Sequence, residues 1–391
     1  MPIDALSGAV HEMLARISAP GWASGDTAST GFDIYSQPAK FIGPNLDCLG
    51  EASLKEHWDA SQREAYDALR RIPRRYKLAV LAMARDEALN LPEWISHCLA
   101  IGAEHIFVYT NDNADGTDDL LRWFSQRAPV TPLFTTAAKG VNIQWKNYQH
   151  AFFLLPELRL YEWVMVIDVD EFPVPAERFN FHLPTLLDSA PADAGAVVFP
   201  WLWRLWDLRF NRSPGLLADR FEHALPHPLF KSATRLNSCI SLCEVHIPTL
   251  DPHAKLVDSA FAEIQRDQVW SEEPKTRAGG WIDHFWGRSF EEFLTKKVRG
   301  DLLAIPTGEF RREFETYFSW TQSYSEANYN PMPAPVVQRM KDTLEKFQRE
   351  PTFTDLMQRI ERRYEENASR IRSDREFVEI FNGFMSRSGT K

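Results

Sequence analysis

Apolar and polar positions along the middle of the chain group into blocks that have the lengths of strands and helices. Residues 77–84 form an apolar run that is typical of a buried parallel strand. Residues 91–103 place apolar side chains at helical spacing, and a second strand and helix are predicted at 105–110 and 118–126. The order strand, helix, strand, helix is that of a βαβ unit, so the pattern predicts a parallel α/β sheet.

Elements of the same kind continue to about residue 285, where the chain becomes helical and charged. A strand, a helix, a strand and then one strand or a strand pair are predicted in turn at 130–135, 143–156, 163–168 and 194–206. Residues 336–372 have helical periodicity with many charged side chains, which is typical of solvated helices. The predicted organisation is an N-terminal extension over 1–75, an α/β domain over 76–305 and a C-terminal helical region over 306–391.

Composition narrows the class of protein. With 391 residues, of which 44% are apolar and 25% charged, the chain has the balance of a soluble globular protein, which excludes disordered, collagen-like and coiled-coil chains. The net charge of −10 gives no long-range attraction for nucleic acid, so we expect no nucleic-acid partner. No apolar run reaches the roughly 18 residues of a membrane span, and Asp4 stands where a signal peptide carries basic residues. We expect a cytoplasmic protein without a transmembrane segment, free or peripheral at the inner membrane; no pattern indicates its oligomeric state.

Two aspartates, Asp168 and Asp170, follow the predicted strand 163–168 in the string Asp-Val-Asp-Glu. Ligands of open α/β sheets bind outside the carboxyl ends of the strands. In an extended chain alternate residues point to the same side, so these two carboxylates form an oxygen-ligand pair suited to Mg²⁺ or Mn²⁺. Such a cation stabilises a departing nucleoside diphosphate. The competing interpretation is a charged junction between a strand and a loop.

Thirteen tryptophans are many for a chain of this length. Trp201, Trp203 and Trp206 lie together in one stretch, and Trp281 and Trp286 lie in another. Flat indole faces stack well on sugar rings, so the first group is a candidate carbohydrate-binding surface. Filling of the hydrophobic core is the alternative for each of them.

Several motifs together resemble a known family. Residues 81–121 (LAMARDEALN…DGTDDLL) and 164–172 (VMVIDVDEF) resemble the nucleotide-sugar-binding half of glycosyltransferase family 2-like proteins with the GT-A fold, in the branch whose metal motif reads Asp-x-Asp-Glu-Phe. Residues 282–301 (IDHFWGRSFEEFLTKKVRGD) resemble a later segment of that branch, so the likeness covers roughly 77–301. It implies a GT-A-like, mostly parallel sheet flanked by helices. It also implies a metal-dependent, inverting glycosyltransferase that moves a sugar from a nucleotide-sugar donor, which we expect to be UDP-linked, to a hydroxyl acceptor on a glycan, a lipid-linked molecule or a protein.

The resemblance assigns roles to individual positions. It implies that Asp168, Asp170 and His284 hold Mn²⁺ or Mg²⁺. The donor-binding residues that it implies are Arg85, Glu87, Asn111, Asp112, Lys139, Gln144, Asp168, Lys297 and Arg299. The chain departs from the family where an acidic pair reads the base, because Thr110-Asn111 stands there, so either Asn111 or Asp112 is the base-reading residue.

An inverting transferase also needs a general base that deprotonates the acceptor hydroxyl. In the family this base is an acidic residue beyond the metal motif; Glu222, Asp207 and Asp283 are the candidates here, and Glu222 and Asp283 are favoured. Trp201 and Trp203 are left to line the acceptor side. Lys231 lies between the motifs without an assigned role, and acceptor contact and structural support are both open for it.

Other functions compete with glycosyl transfer. A nucleotidyltransferase or a sugar-phosphate hydrolase can share the α/β architecture and the paired carboxylates. A nucleotidyltransferase of this architecture carries a glycine-rich phosphate loop after its first strand, whereas residues 83–90 (MARDEALN) contain no glycine. A non-catalytic carbohydrate-binding protein would use the tryptophans and would not need Asp168 and Asp170.

Overall fold

A computed structural model describes residues 40–42, 71–135, 143–205, 209–241, 246–271, 275–298, 317 and 327–388. The strands of this part are β1 Lys40–Ile42, β2 Tyr76–Ala84, β3 His105–Thr110, β4 Val130–Thr135, β5 Tyr161–Val166, β6 Glu171–Pro175, β7 Ala194–Arg204, β8 His223–Arg235, β9 Cys239–Ser241, β10 Thr249–Leu250, β11 Lys255–Asp258, β12 Gly280–His284 and β13 Asn328–Tyr329. The helices are α1 Leu91–Ala100, α2 Thr117–Ser125, α3 Ile143–Leu154, α4 Leu183–Asp188, α5 Leu217–Arg220, α6 Phe290–Val298, α7 Ala334–Gln348, α8 Pro351–Ser373 and α9 Arg375–Ser388.

Eleven of the described strands form one mixed, mostly parallel sheet. Its order is β1-β4-β3-β2-β5-β8-β7-β12-β6, with β11 paired to β7 and β13 to β8. The pairs from β1 through β5 are all parallel, and the antiparallel part begins where β5 meets β8. The predicted α/β class, with a mostly parallel sheet flanked by helices and a C-terminal helical region, is confirmed.

The strand order reverses direction between β2 and β5. The chain runs outward from β2 to β3 and β4, and it then returns to the other side of β2 as β5, with Leu81 opposite Val166. In open α/β sheets such a reversal leaves a crevice at the carboxyl ends of the two strands, and ligands bind there. The crevice lies after Ala84 and Val166, next to the predicted donor and metal residues.

The first βα unit forms where the apolar pattern predicts it. Residues 78–84 of β2 are buried on both faces, as expected for a strand covered by helices on two sides. Helix α1 buries Trp94 and Cys98 completely, and Pro92 stands in its first turn, where a proline costs no hydrogen bond. Gly102 then has a left-handed φ of +100°, and a Cβ atom there would lie 2.4 Å from His182 Nε2.

The C-terminal boundary of the strand predicted at 163–168 is wrong. Strand β5 stops at Val166, and Asp168 and Asp170 lie in the loop that leads to β6. The Asp168 N–H donates to Glu171 Oε2 at 2.9 Å, and the Glu171 N–H donates to the Asp168 carbonyl at 3.0 Å. This reciprocal pair closes a tight turn, so the alternation of an extended chain does not relate the two aspartates.

The C-terminal helices differ from the solvated region predicted over 336–372. A break before Pro351 divides this stretch into α7 and α8, since proline disfavours helical geometry in the residue that precedes it. Apolar side chains of both helices are buried, and Phe347 and Phe353 pack on Trp123 of α2 with ring centroids 5.9 and 5.0 Å apart. These helices therefore belong to the main hydrophobic core.

The predicted division into three regions is not tested at the ends of the chain. Strand β1, within the predicted N-terminal extension, pairs with β4 through its backbone, while 1–39 and 43–70 lie outside the described residues. The division into three regions stays a prediction. Over the described ranges, no helix combines the length and the apolar character that crossing a membrane requires.

Candidate functional site

Two lysines hold the acidic turn that joins β5 to β6. Lys231, whose side chain is buried, places Nζ 2.9 Å from Asp168 Oδ2 and 3.5 Å from Glu171 Oε2. Lys296 of α6 places Nζ 2.6 Å from Asp170 Oδ2. The turn therefore brings three carboxylates together, and the two lysines, from β8 and α6, offset part of their charge.

Asp170 is the more buried of the two predicted metal-binding aspartates. Burial alone would raise the pKa of its carboxyl group, but Lys296 and His284 outweigh that effect and hold the pKa well below its usual range. Asp168 is different, because one-third of its side chain is exposed and its Oδ1 accepts a 3.4 Å bond from Gln144 Nε2. The site thus combines a fixed, ionised carboxylate with a second one that solvent and ligands can reach.

His284 faces Asp170 from strand β12. Its Nε2 lies 3.7 Å from Asp170 Oδ1, and its Nδ1 accepts a 3.2 Å bond from Trp203 Nε1. Burial lowers the pKa of the imidazole, although Asp170 acts in the opposite direction, so the ring is neutral at pH 7. Because Nδ1 accepts a hydrogen bond, the neutral ring carries its proton on Nε2, toward Asp170. A metal bond through Nε2 requires this proton to leave, and the role of third ligand stays a prediction.

The donor chemistry of the turn fits a divalent cation through its two aspartates. Carboxylate oxygens are the ligands that Mg²⁺ and Mn²⁺ prefer, and Asp170 is already ionised. A bound ion would displace the ammonium groups of Lys231 and Lys296. Among the described residues, no three His, Cys, Asp or Glu side chains are grouped closely enough to hold a metal ion by themselves.

A cavity of about 400 Å³ opens beside Lys296, and we call it the α6–α8 cavity. It is lined by the loop Asp86–Asn90, by Arg288 and Lys296 near and on α6, and by the inner face of α8. Arg288 is buried, its Nη1 lies 3.4 Å from Glu87 Oε2, and its Nη2 has no hydrogen-bond partner. Two cations thus border a cavity of the size that nucleotides occupy.

The loops after β2 and β3 are fastened to each other at the rim of this cavity. The Asp86 N–H donates to Asn113 Oδ1 at 2.7 Å, and Asp86 Oδ1 accepts from the Ala114 N–H at 2.6 Å. Asp115 accepts from the Ala88 N–H at 2.8 Å and, through its other oxygen, from the Thr117 N–H at the start of α2. Asp115 therefore fixes the turn and the beginning of the helix.

The predicted donor residues lie at different depths around this crevice. Glu87 and Gln144 are buried and reach Arg288 and Asp168 respectively. Asn111 is buried and donates to Asp112 Oδ2 at 2.9 Å. Arg85 is half-buried after β2. Lys139 and Arg299, together with the side chain of Lys297, lie outside the described residues.

The predicted acceptor tryptophans are mostly buried. Trp201 and Trp203 are only 8% and 9% exposed, and both pack on His227, with ring centroids 5.6 and 4.3 Å apart. Trp201 also packs on His284, with centroids 4.2 Å apart. Trp270, which is 51% exposed, continues this aromatic cluster to the surface. Little surface of either predicted indole is therefore left for an acceptor sugar to stack on.

The two favoured candidate bases lie in different surroundings, and the third candidate, Asp207, lies outside the described residues. Asp283 is fully buried, and its Oδ2 lies 2.7 Å from Arg204 Nη2. Successive residues of a strand point to opposite faces, so Asp283 lies on the face opposite His284 and the turn. Glu222 is half-buried just before β8, and its Oε1 accepts a 3.3 Å bond from the Tyr329 hydroxyl. Of these two residues, only Glu222 is accessible to solvent.

Sequence reasoning missed Arg288 and left Lys231 without a role. Arg288 stands in the stretch 282–301 that carried the family resemblance, next to a glycine in WGRSF. Its left-handed φ of +54° marks a residue that the fold holds in an uncommon conformation. No local pattern indicates the role of Lys231, because its partners Asp168 and Glu171 lie 63 and 60 positions away in the sequence.

Comparison with known proteins gives a consistent picture over part of the chain. Residues 78–190 match the family model of glycosyltransferase family 92. A glycosyltransferase family 92 protein of Ricinus communis is 31% identical over 125 residues, which cover 30% of this chain and 19% of that protein. A second one, of Oryza sativa subsp. japonica, is 34% identical over 101 residues, which cover 25% and 16%. The matched region is less than one-fifth of either relative. It resembles glycosyltransferases, as expected, but the matching model is that of family 92, and membership of family 2 stays a prediction.

Two solved structures match this chain in part. The match to fragment 1–349 of TarS from S. aureus covers 76% of this chain and 91% of that fragment, with 10% identity and a TM-score of 0.28. The match to HddC from Yersinia pseudotuberculosis covers 41% of this chain and 70% of HddC, with 13% identity and a TM-score of 0.23.

Proposed function

We propose that this chain transfers a glycosyl residue from a nucleotide-sugar donor, UDP-linked in our expectation, to a hydroxyl acceptor with inversion at the anomeric carbon. The observation that carries the proposal is the position of the acidic turn. It lies at the reversal of the strand order, beside a cavity of nucleotide size that Arg288 and Lys296 border. The similarity of residues 78–190 to glycosyltransferase family 92 supports the same reaction class.

The donor binds in this proposal with its diphosphate between the acidic turn and the two cations. Arg288 has a buried, unpartnered Nη2 that can donate to a phosphate oxygen, and Lys296 offers an ammonium group at the same wall. Asp168 and Asp170 would hold Mn²⁺ or Mg²⁺ there, with His284 as the proposed third ligand. The ion, when bound, supplies positive charge that offsets the charge developing on the leaving diphosphate.

The acceptor approaches from the aromatic cluster on the other side of the turn. Its hydroxyl oxygen attacks the anomeric carbon, the bond from that carbon to the β-phosphate oxygen breaks, and the nucleoside diphosphate leaves. Glu222 accepts the hydroxyl proton in this scheme, because of the two described candidates only its carboxylate is partly exposed. Arg288 and Lys296 bind the departing phosphate through their N–H groups and keep it oriented.

The competing functions are less well supported. A carbohydrate-binding protein would present its tryptophan faces, whereas Trp201 and Trp203 are mostly buried. A hydrolase would use the same acidic turn with water as the acceptor, so the two enzyme classes differ in whether a sugar reaches a second hydroxyl.

Calorimetric titration of the full chain with UDP, with and without Mn²⁺, tests the donor site. We expect Asp170→Asn to weaken Mn²⁺-dependent binding about tenfold or more, because a ligand charge is lost while side-chain volume is kept. The matched control is Asp193→Asn, an exposed aspartate paired with Lys255, which should bind as the wild type does. Undiminished Mn²⁺-dependent binding in Asp170→Asn would overturn the metal assignment.

A further inference from the structure

The α6–α8 cavity has an outer wall that the proposed function does not use. On α8, the cavity-lining residues Ile360, Tyr364, Asn367 and Ile371 follow one another at intervals of three or four. Residues at this spacing share one face of a helix. The C-terminal helices therefore complete the cavity, whose other walls come from the loop after β2 and from α6.

This wall is fixed to the helix that carries Lys296. The Tyr364 hydroxyl donates to Oε1 of the buried Glu291 on α6 at 2.7 Å, and Arg372 Nη1 lies 2.8 Å from the other oxygen of the same carboxylate. At the start of α8, Trp123 Nε1 donates to Thr352 Oγ1 at 3.0 Å. The wall is thus held at both ends, which fixes its separation from Arg288 and Lys296.

The wall offers one amide, Asn367, among apolar side chains and beside the charged Arg370. Ile360 and Ile371 line the cavity from α8, and Leu89 lines it from the loop after β2. Asn367, whose side chain is exposed, can donate and accept hydrogen bonds at once, which matches the alternating donors and acceptors along the edge of a nucleobase. Charged groups that suit a diphosphate stand at the other end, where Lys296 meets Asp170.

We propose that α8 contacts the nucleoside of the donor, with Asn367 hydrogen-bonded to the polar edge of the base. The base then lies between Leu89 and the isoleucines of α8, and the diphosphate extends toward Lys296. This inference rests on the proposed function, since it places the nucleoside of the same donor. It makes the C-terminal helices part of the substrate site.

The experiment compares two probes on the full chain. The wild type is first titrated with UDP, CDP, GDP and ADP in the presence of Mn²⁺, and the tightest of these is then compared with inorganic pyrophosphate, which has no nucleoside. We expect Asn367→Ala to raise the Kd for the nucleoside diphosphate about tenfold, the loss of roughly one hydrogen bond, and to leave the Kd for pyrophosphate unchanged. The matched control is Ser369→Ala, an exposed residue on the opposite side of α8, which should change neither Kd.

The outcomes separate this inference from the function on which it rests. The nucleoside contact is overturned if Asn367→Ala binds both probes as the wild type does, or if it loses affinity for both equally. The proposed function still stands in that case, provided that Asp170→Asn weakens Mn²⁺-dependent binding. A wild-type chain that binds none of the four nucleoside diphosphates overturns both the proposed function and the inference. Because Asn367 is exposed, an unchanged thermal midpoint is expected and confirms that the variant is folded.

Discussion

The buried ion pair between Arg204 and Asp283 allows a structural role for Asp283 to be separated from a catalytic one. Arg204 Nη2 and Asp283 Oδ2 are 2.7 Å apart, and the two side chains are 1% and 0% exposed. Asp283→Asn would leave the guanidinium charge buried without its counter-ion, a change that typically costs about 3–5 kcal/mol. Because the amide oxygen can still accept the 3.0 Å bond from Trp281 Nε1, we expect the free energy of unfolding to fall by about 3 kcal/mol.

Urea denaturation followed by tryptophan fluorescence measures this loss. The control is Glu345→Gln in the exposed pair with Arg349, where we expect a change below about 0.5 kcal/mol. Adding Arg204→Met to Asp283→Asn removes the stranded charge and should recover part of the lost stability. A fully stable Asp283→Asn variant that has lost turnover would refute the reasoning and would make Asp283 the general base.

Two further predictions concern the fold. Gly279→Ala should lower the free energy of unfolding by about 3 kcal/mol in the same urea assay, because its Cβ would lie 1.4 Å from the Ser259 carbonyl oxygen. Gly383→Ala on α9, where nothing lies within 4 Å of the added Cβ, should instead raise the free energy of unfolding by up to about 1 kcal/mol. Equal effects of the two substitutions would contradict the packing around Gly279. Burial lowers the pKa of His97 to about 4 from 6.5, so the unfolded chain binds more protons and stability should fall by about 3 kcal/mol as the pH drops from about 6.5 to 4. His97→Gln does not titrate and should lose less stability over this interval, whereas identical pH profiles would show that His97 is not buried as a neutral ring.

Local pattern predicted the first half of the sheet well. The runs that became β2 and β3 are nearly continuous apolar segments next to helices, and they are buried on both faces as such runs require, whereas β4 is marked more weakly by its two threonines and its proline. The antiparallel half was harder, because β8 mixes prolines, histidines and a buried lysine. Its pairing with β5 and β7 depends on contacts far apart in the sequence, which no local period records.

The position of the acidic turn was predictable from the sequence and its surroundings were not, while the metal-binding role of its aspartates stays a prediction. Asp168 and Asp170 stand out because they follow a strongly apolar strand, and the structure places them at the expected edge of the sheet. Asp283 was expected near the site because it precedes His284 in the sequence. Neighbouring residues of a strand face opposite sides of the sheet, however, and only His284 faces the acidic turn. The cavity wall formed by α8 could not be predicted, because the sequence of a charged helix does not indicate which cavity its buried face will line.

Turnover of nucleotide sugars tests the central claim most directly. The full chain is incubated with Mn²⁺ and a panel of nucleotide sugars, together with a mixture of glycan acceptors, and the released nucleoside diphosphate and the glycosylated acceptor are quantified together. We predict that the wild type releases the diphosphate of one donor with matching transfer to an acceptor, and that Asp170→Asn reduces the rate about 100-fold or more. Absence of turnover with every nucleotide sugar, or a wild-type rate in Asp170→Asn, would contradict the account.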